Sequence, residues 1–357
     1  MLRCRRCLLP TTVPGSDFDV AGICKYCRDY RPEDETEAEA ARLERLRDLE
    51  STLASVRQNP GYHAVVCLSG GKDSLCLVCR LKKEYGLNVL AFTVDANIPD
   101  VAWRSIRRTV ETLQLDHVVY RPPSSFYRKL FAHLLQHQEP RGAVYTVSYV
   151  YAPLFEGDAI ALATEKGIPL VLAGYSPGQP ESERMVYEFS RRLICDTDWT
   201  PPALRASSQF SEAELGRFWN PHRWPRGTRF PRYLAPFHAW EYDQDAIIRQ
   251  VVSLGLVERR SHASPIQSNY PVNWLLMYSD LKNLGYNPYA PEFSSLIRRG
   301  RASLRYWKVM APLVDLMIRR RLLLGRNVTS QMDWLGLRNS DLRIDQPLGA
   351  YDPPSSH

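Results

Sequence analysis

The chain has 357 residues, room for roughly two or three domains. Apolar residues make up 44% and charged residues 24%, which excludes a disordered or fibrous chain. Lys plus Arg is 46 against 39 for Asp plus Glu, a net +7. That suits nucleotides, sugar phosphates or RNA, and is too small to establish nucleic-acid binding.

In chain order, the first feature is a pair of motifs. Cys4-x-x-Cys7 and Cys24-x-x-Cys27 stand sixteen residues apart within residues 1–30. This spacing predicts a tetrahedral Zn²⁺ site closed by four thiolates, structural rather than catalytic, with an iron–sulfur cluster as the competing occupant. No apolar run reaches the ~18 residues of a membrane span. The longest, residues 142–155, is shorter and holds Thr146, Ser148 and three tyrosines. Arg3, Arg5 and Arg6 are not followed by the apolar run of a secretion signal, so a cytoplasmic location is expected.

Residues 31–60 predict a linker helix. Pro32 precedes a run of acids that complements the helix dipole, Leu43, Leu46, Leu49 and Leu53 keep a helical stripe, and Asn59-Pro60-Gly61 ends it. Residues 61–200 predict one domain, in which strands and helices alternate as far as about residue 176. Strands are expected over 63–68, 87–95, 117–120 and 169–173, and helices over 74–85, 101–113, 126–136 and 155–166. Continuous apolar strands between amphipathic helices predict a doubly wound parallel α/β sheet covered on both faces. Residues 196–240, rich in Pro, Trp, Arg and Phe, predict long loops with short helices. Helices over 243–254, 272–284, 290–299 and 304–324 make 201–345 a mainly helical substrate or partner region. Residues 346–357 read as a tail.

The strongest motif is Ser69-Gly70-Gly71-Lys72-Asp73-Ser74, between a buried strand and a helix. Two glycines allow a tight turn and close approach to an anion, and the N–H groups of the turn and helix start cradle phosphate oxygens. Ser69 and Ser74 add hydroxyl donors and Lys72 a point charge. Asp73 either helps to hold Mg²⁺ or braces the loop. The spacing is not the Walker pattern. It is the Ser-Gly-Gly-x-Asp-Ser signature, and here the chain resembles the PP-loop ATP pyrophosphatase superfamily. The resemblance implies a HUP-type domain that binds ATP with Mg²⁺, transfers AMP to a substrate oxygen and releases pyrophosphate, with Lys72, Asp73 and Ser74 as the catalytic set. It places further nucleotide contacts at Asp95, which ends the second strand, and at Gly174, Ser176 and Gln179, after the 169–173 strand. That is where open α/β sheets bind ligands.

Between the cysteine pairs stand Pro10, Pro14-Gly15, Phe18-Asp19 and Gly22. With the phosphate loop about forty residues further on, the chain resembles the N-acetyl sugar amidotransferases of bacterial surface-polysaccharide and nonulosonate biosynthesis. That likeness implies conversion of an acetamido sugar, or a sugar nucleotide, to an acetamidino sugar. ATP drives it, and ammonia comes from a separate glutaminase partner. No glutaminase signature stands in the chain itself. Arg and aromatic residues of 217–240 are the expected walls of the acceptor pocket. The rival is sulfur transfer by the same adenylate chemistry, as in tRNA 2-thiolation or thioamide formation on a natural product. It would draw on Cys76, Cys79 and Cys195 as cluster ligands, and on Arg298-Arg299-Gly300-Arg301 and Arg319-Arg320-Arg321 as phosphate grips. The bland reading of Cys76 and Cys79 is as small apolar residues under a helix. The oligomeric state, a homo-oligomer included, is open.

Overall fold

The computed structural model describes residues 2–177, 185–264 and 269–345, with 32–34 described by backbone alone. Gln179 and the 346–357 tail lie outside the described residues.

The first helix is α1 (Lys25–Asp29), which carries Cys27, followed by α2 (Pro32–Val56). Five strands then form one parallel sheet: β1 (Ala64–Cys67), β2 (Val89–Val94), β3 (Asp116–Tyr120), β4 (Leu170–Leu172) and β5 (Arg232–Leu234), in the order β3-β2-β1-β4-β5. The helices α3 (Lys72–Lys83), α4 (Asp100–Leu113), α5 (Ser124–Gln136) and α6 (Ala143–Glu165) cross between the first four strands. Short helices α7 (Arg191–Asp196), α8 (Pro202–Ala206) and α9 (Glu212–Leu215) precede β5. After it come α10 (Gln244–Ser253), α11 (Val272–Asn283), α12 (Ala290–Arg298), α13 (Leu304–Arg320) and α14 (Arg326–Leu335).

β1, β2 and β4 are almost wholly apolar because both faces are covered. Val65, Leu90, Phe92, Val94, Val171 and Tyr233 face a core with α5, α6, α11 and α14. Ala64, Val66, Ala91, Leu170, Leu172 and Leu234 face a second core with α2, α3, α4 and α10. Successive residues of one strand thus serve opposite cores. The register pairs Val66 with Ala91 and with Leu172, and Leu172 with Leu234. Only β3, at the edge, leaves apolar side chains exposed, Val119 at 42% and Tyr120 at 38%. The strand order reverses direction at β1, so β1 and β4 flank a topological switch point.

Three elements differ from expectation. β5 stands where loops and short helices were expected. Three residues are too few to display a period, and it is a strand because it pairs with β4. Arg232 also ties it to Asp48 and Thr52 of α2, at 2.8 and 2.6 Å, and to Glu188 at 2.7 Å. The helix expected over 155–166 is the second half of α6, which takes in the apolar stretch 142–155 and runs through Pro153. It is buried on nearly every side, so it shows no amphipathic period. Buried Asp280 accepts hydrogen bonds from the Ala143 and Val144 N–H groups at its start. The long helix expected over 304–324 stops at Arg320, where Arg321 adopts φ +53°, and α14 follows.

Candidate functional site

β1 leads directly into the Ser69–Ser74 motif, and α3 begins at Lys72, two residues before the expected start. Gly70 has φ +78°, and a Cβ there would come within 2.6 Å of the Ala102 carbonyl, so only glycine fits. A Cβ on Gly71 would collide with the Asn269 amide. No side chain caps α3, which leaves the first N–H groups of the helix for a ligand. Ser74 Oγ accepts from the Ser69 N–H at 3.2 Å and donates to the Gly71 carbonyl at 3.0 Å, so it closes the loop on itself. Ser69 Oγ lies 3.2 Å from Ser74 Oγ.

Lys72 does not reach out alone. Its Nζ lies 2.6 Å from Asp73 Oδ2 and donates to the Tyr242 hydroxyl at 3.2 Å, and that hydroxyl donates to Asp73 Oδ1 at 3.1 Å. Burial works against the Lys72 cation, but the Asp73 carboxylate more than offsets it and holds the pKa above the ordinary lysine value. Burial likewise raises the Tyr242 phenol, so it stays protonated.

Ser69, Gly71, Lys72, Asp73, Ser74, Gly174 and Ser176 line one cavity of about 400 Å³ at the carboxyl ends of β1, β2 and β4. That is a size for a small-molecule ligand. Gly174 is required by packing: a Cβ there would stand 2.9 Å from the Ser74 backbone nitrogen. Two expected contacts fall outside the wall. Gly70 sits behind the loop against Ala102. The Asp95 carboxylate turns away to Arg121 Nε at 2.6 Å and the Ile98 N–H at 3.1 Å. Phe92, Thr93 and Val94 supply the β2 part of the wall instead.

The far wall was not legible in the sequence. No residue of 217–240 lines the cavity; α11, α12, α13 and the turns between them do, through Asn273, Asn287, Phe293, Trp307 and Asp315. Asn287 Nδ2 donates to Asp315 Oδ1 at 3.1 Å, Arg3 pairs with Asp315 Oδ2 at 2.6 Å, and the Phe293 and Trp307 rings stack with centroids 3.7 Å apart. Tyr242 and Asn269 were missed as well. None of these belongs to a motif, so the sequence carried no signal for them. Beneath the loop, the Tyr175 hydroxyl donates to Glu156 at 2.7 Å. Cys67 Sγ lies 3.7 Å from the Tyr233 hydroxyl, and burial pushes the Cys67 thiol up to about 12.

The four N-terminal cysteines converge. Their Sγ atoms lie within 4.8 Å of one another, all buried, with Cys4–Cys27 at 3.8 Å and Cys7–Cys24 at 3.6 Å. A single tetrahedral Zn²⁺ with bonds of about 2.3 Å sets its sulfurs roughly 3.8 Å apart, so this donor set fits one such ion. A cluster that spreads its thiolates over several irons needs wider spacing. Burial raises the Cys4 thiol, but the N–H groups of Cys24, Cys7 and Arg6 outweigh it and bring it down to about 7. Burial raises Cys24 to about 11. Among the described residues no other group of His, Cys, Asp and Glu is placed to hold an ion. Cys76 donates to Gln250 and packs with Cys79 in the α3–α10 core, while Cys195 lies on α7 against the opposite core. The module packs on Ile297 and Trp307. Arg3, Cys7 and Leu8 reach the cavity wall, so its far end touches the four-cysteine cluster.

No family model and no curated protein matches the sequence. Solved structures align with it at low identity. An NMN synthetase from Francisella tularensis is 12% identical over 89% of this chain and 98% of its own, with a TM-score of 0.32. A tRNA thiolase from Methanococcus maripaludis, solved with its 4Fe–4S cluster, is 14% identical over 98% of this chain and 93% of its own, with a TM-score of 0.32. An ammonia-dependent NAD synthetase from Campylobacter jejuni is 14% identical over 86% of this chain and 99% of its own, with a TM-score of 0.35.

Proposed function

We propose that the chain is an AMP-forming PP-loop ATP pyrophosphatase that activates an amide-type oxygen and replaces it with nitrogen. The observation that carries this reading is one cavity bounded by the Ser69–Ser74 loop on one side and by α11–α13 on the other. ATP phosphates at the start of α3 and an acceptor against the C-terminal helices would meet in it. The acceptor oxygen attacks the α-phosphorus, and pyrophosphate leaves with the bonding electron pair. Ammonia then adds to the activated carbon, AMP departs with the former amide oxygen, and a proton is lost from nitrogen. The α3 N–H groups and Lys72 stabilise the charge that grows on pyrophosphate. Asp73 holds Lys72 and is the carboxylate nearest the loop for Mg²⁺, which would supply further charge neutralisation.

In this reading residues 1–30 form a Zn²⁺ module, 61–200 with β5 form the ATP domain, and 201–345 supply the acceptor side. An acetamido sugar suits that side. Asn273 and Asn287 offer amides for hydroxyl groups, and the stacked Phe293 and Trp307 rings offer an apolar face for ring CH groups. The charge of Arg3 is taken by Asp315 rather than offered to a phosphate backbone. Nitrogen is favoured over sulfur because Cys76, Cys79 and Cys195 are not brought together: the first two pack in the α3–α10 core and the third lies against the opposite core. Ammonia would come from a partner glutaminase.

The test is incubation with ATP, Mg²⁺, ammonium and a panel of acetamido sugars. AMP and pyrophosphate are expected, with ammonium salts replacing the partner. ADP and orthophosphate would overturn the adenylation. Tight, salt-sensitive tRNA binding with thiolated nucleoside as product would move the assignment to sulfur transfer. Lys72→Ala is expected to lower the rate by about 10²–10³-fold, the range for a donor facing transition-state charge.

A further inference from the structure

α13 is apolar on two sides. Its inner face buries Trp307, Val314 and Ile318. Its outer face carries Val309, Leu313 and Leu316 at 66%, 42% and 51% exposure, spaced i, i+4, i+7 so that they form one stripe. Past the helix end, Leu322 and Leu323 extend the apolar surface at 53% and 72% exposure. A helix needs one buried stripe to dock on its core, and among the described residues nothing covers the second stripe.

Along α13 and the turn after it the charge is almost all of one sign. Residues 304–326 hold six Lys and Arg and a single acid, Asp315. Asp315 is buried and turned to Arg3 at 2.6 Å. Arg305 and Arg320 flank the stripe toward its two ends, while Lys308 and Arg319 lie along one side. The last two also line a groove of about 890 Å³ with Arg5 from the cysteine module. A second copy of the chain would set this cationic face against its own like charge, which disfavours a dimer through it.

We propose that α13 and the turn after it are a peripheral docking surface for an anionic lipid bilayer. The leucines and Val309 enter the boundary between headgroups and acyl chains, and the surrounding Arg and Lys meet the lipid phosphates. No helix among the described residues is long and apolar enough to cross a membrane, so the contact is interfacial. Because the inner face of α13 supplies Trp307, Val314 and Asp315 to the cavity, the same helix sets the cavity about one helix diameter, ~10 Å, from the lipid.

The experiment is co-sedimentation of the full chain with vesicles of pure phosphatidylcholine and of phosphatidylcholine containing about one-third phosphatidylglycerol, at roughly 0.1 M and 0.5 M salt. Binding to the anionic vesicles alone, weakened at the higher salt, is expected. Arg319→Ala with Arg320→Ala should weaken it about 25-fold, from about fivefold per cation. Leu322→Ser with Leu323→Ser should weaken it about tenfold or more. Unchanged thermal unfolding in both variants shows that the fold is intact, since all four side chains are on the surface. Absence of binding at the lower salt, or equal binding by wild type and both variants, would overturn the proposal. So would binding of an acidic protein through these residues by a chain that ignores vesicles, which makes the surface a protein interface.

Discussion

Asp73→Asn removes the carboxylate that faces Lys72 and leaves the cation among groups that no longer oppose its charge. The ion pair is 2.6 Å long, and its side chains are only 12% and 14% exposed. At an effective dielectric near 20, charges at that separation attract by about 6 kcal/mol before desolvation is subtracted. Removing one partner of a buried pair costs about 3–5 kcal/mol. This pair opens onto a cavity and keeps the Tyr242 hydroxyl, so the lower end, ~3 kcal/mol, is expected. The assay is urea denaturation of wild type, Asp73→Asn, Lys72→Met and the double variant. Both singles should be destabilised, and the double by much less than their sum, with a coupling of about 2 kcal/mol where independent sites add to within about 0.5. A loss under ~1 kcal/mol in Asp73→Asn, with single effects that simply add, would refute the claim that Asp73 holds Lys72 in place.

Elemental analysis should find about one zinc per chain, and Cys24→Ser should lose the metal and lower the unfolding midpoint; a chain that keeps its metal without Cys24 would sink the four-thiolate site. Gly174→Ala presses a methyl group against the Ser74 backbone at 2.9 Å, so about 1–3 kcal/mol of stability should go, and an unchanged midpoint would mean that the loop yields freely. Burial pushes the Asp280 carboxyl up from 3.8 to about 7 against its two helix N–H bonds. A carboxyl whose folded pKa lies above its unfolded value takes up a proton on folding, so the stability it confers is present in acid and fades as pH rises from about 4 to about 7. The stability of wild type relative to Asp280→Asn should therefore decline between about pH 4 and pH 7 and level off above, and a constant difference would contradict the raised carboxyl.

What the sequence determined by itself is what depends on neighbours in the chain. The Ser69–Ser74 loop is legible because its requirements are local: a left-handed Gly70, a hydroxyl at Ser74 that reaches back to Ser69, and an open helix start. The cysteine cluster is legible because each Cys-x-x-Cys pair presents two sulfurs from one turn, and the two pairs converge. The parallel sheet is legible in β1, β2 and β4 because burial on both faces writes a nearly unbroken apolar run.

Tertiary structure decided the rest. β5 is a strand only through β4 and Arg232, and three residues carry no period of their own. α6 is hidden by the completeness of its burial, because an amphipathic period appears only where one face meets water. Asp95 stands at the strand end where ligands bind, yet Arg121, 26 residues away, turns its carboxylate aside. Tyr242 reaches Asp73 across 169 residues, and Arg3 reaches Asp315 across 312. A cavity wall is assembled from whichever side chains the packing brings together, and no spacing within one segment records a contact made between segments so far apart.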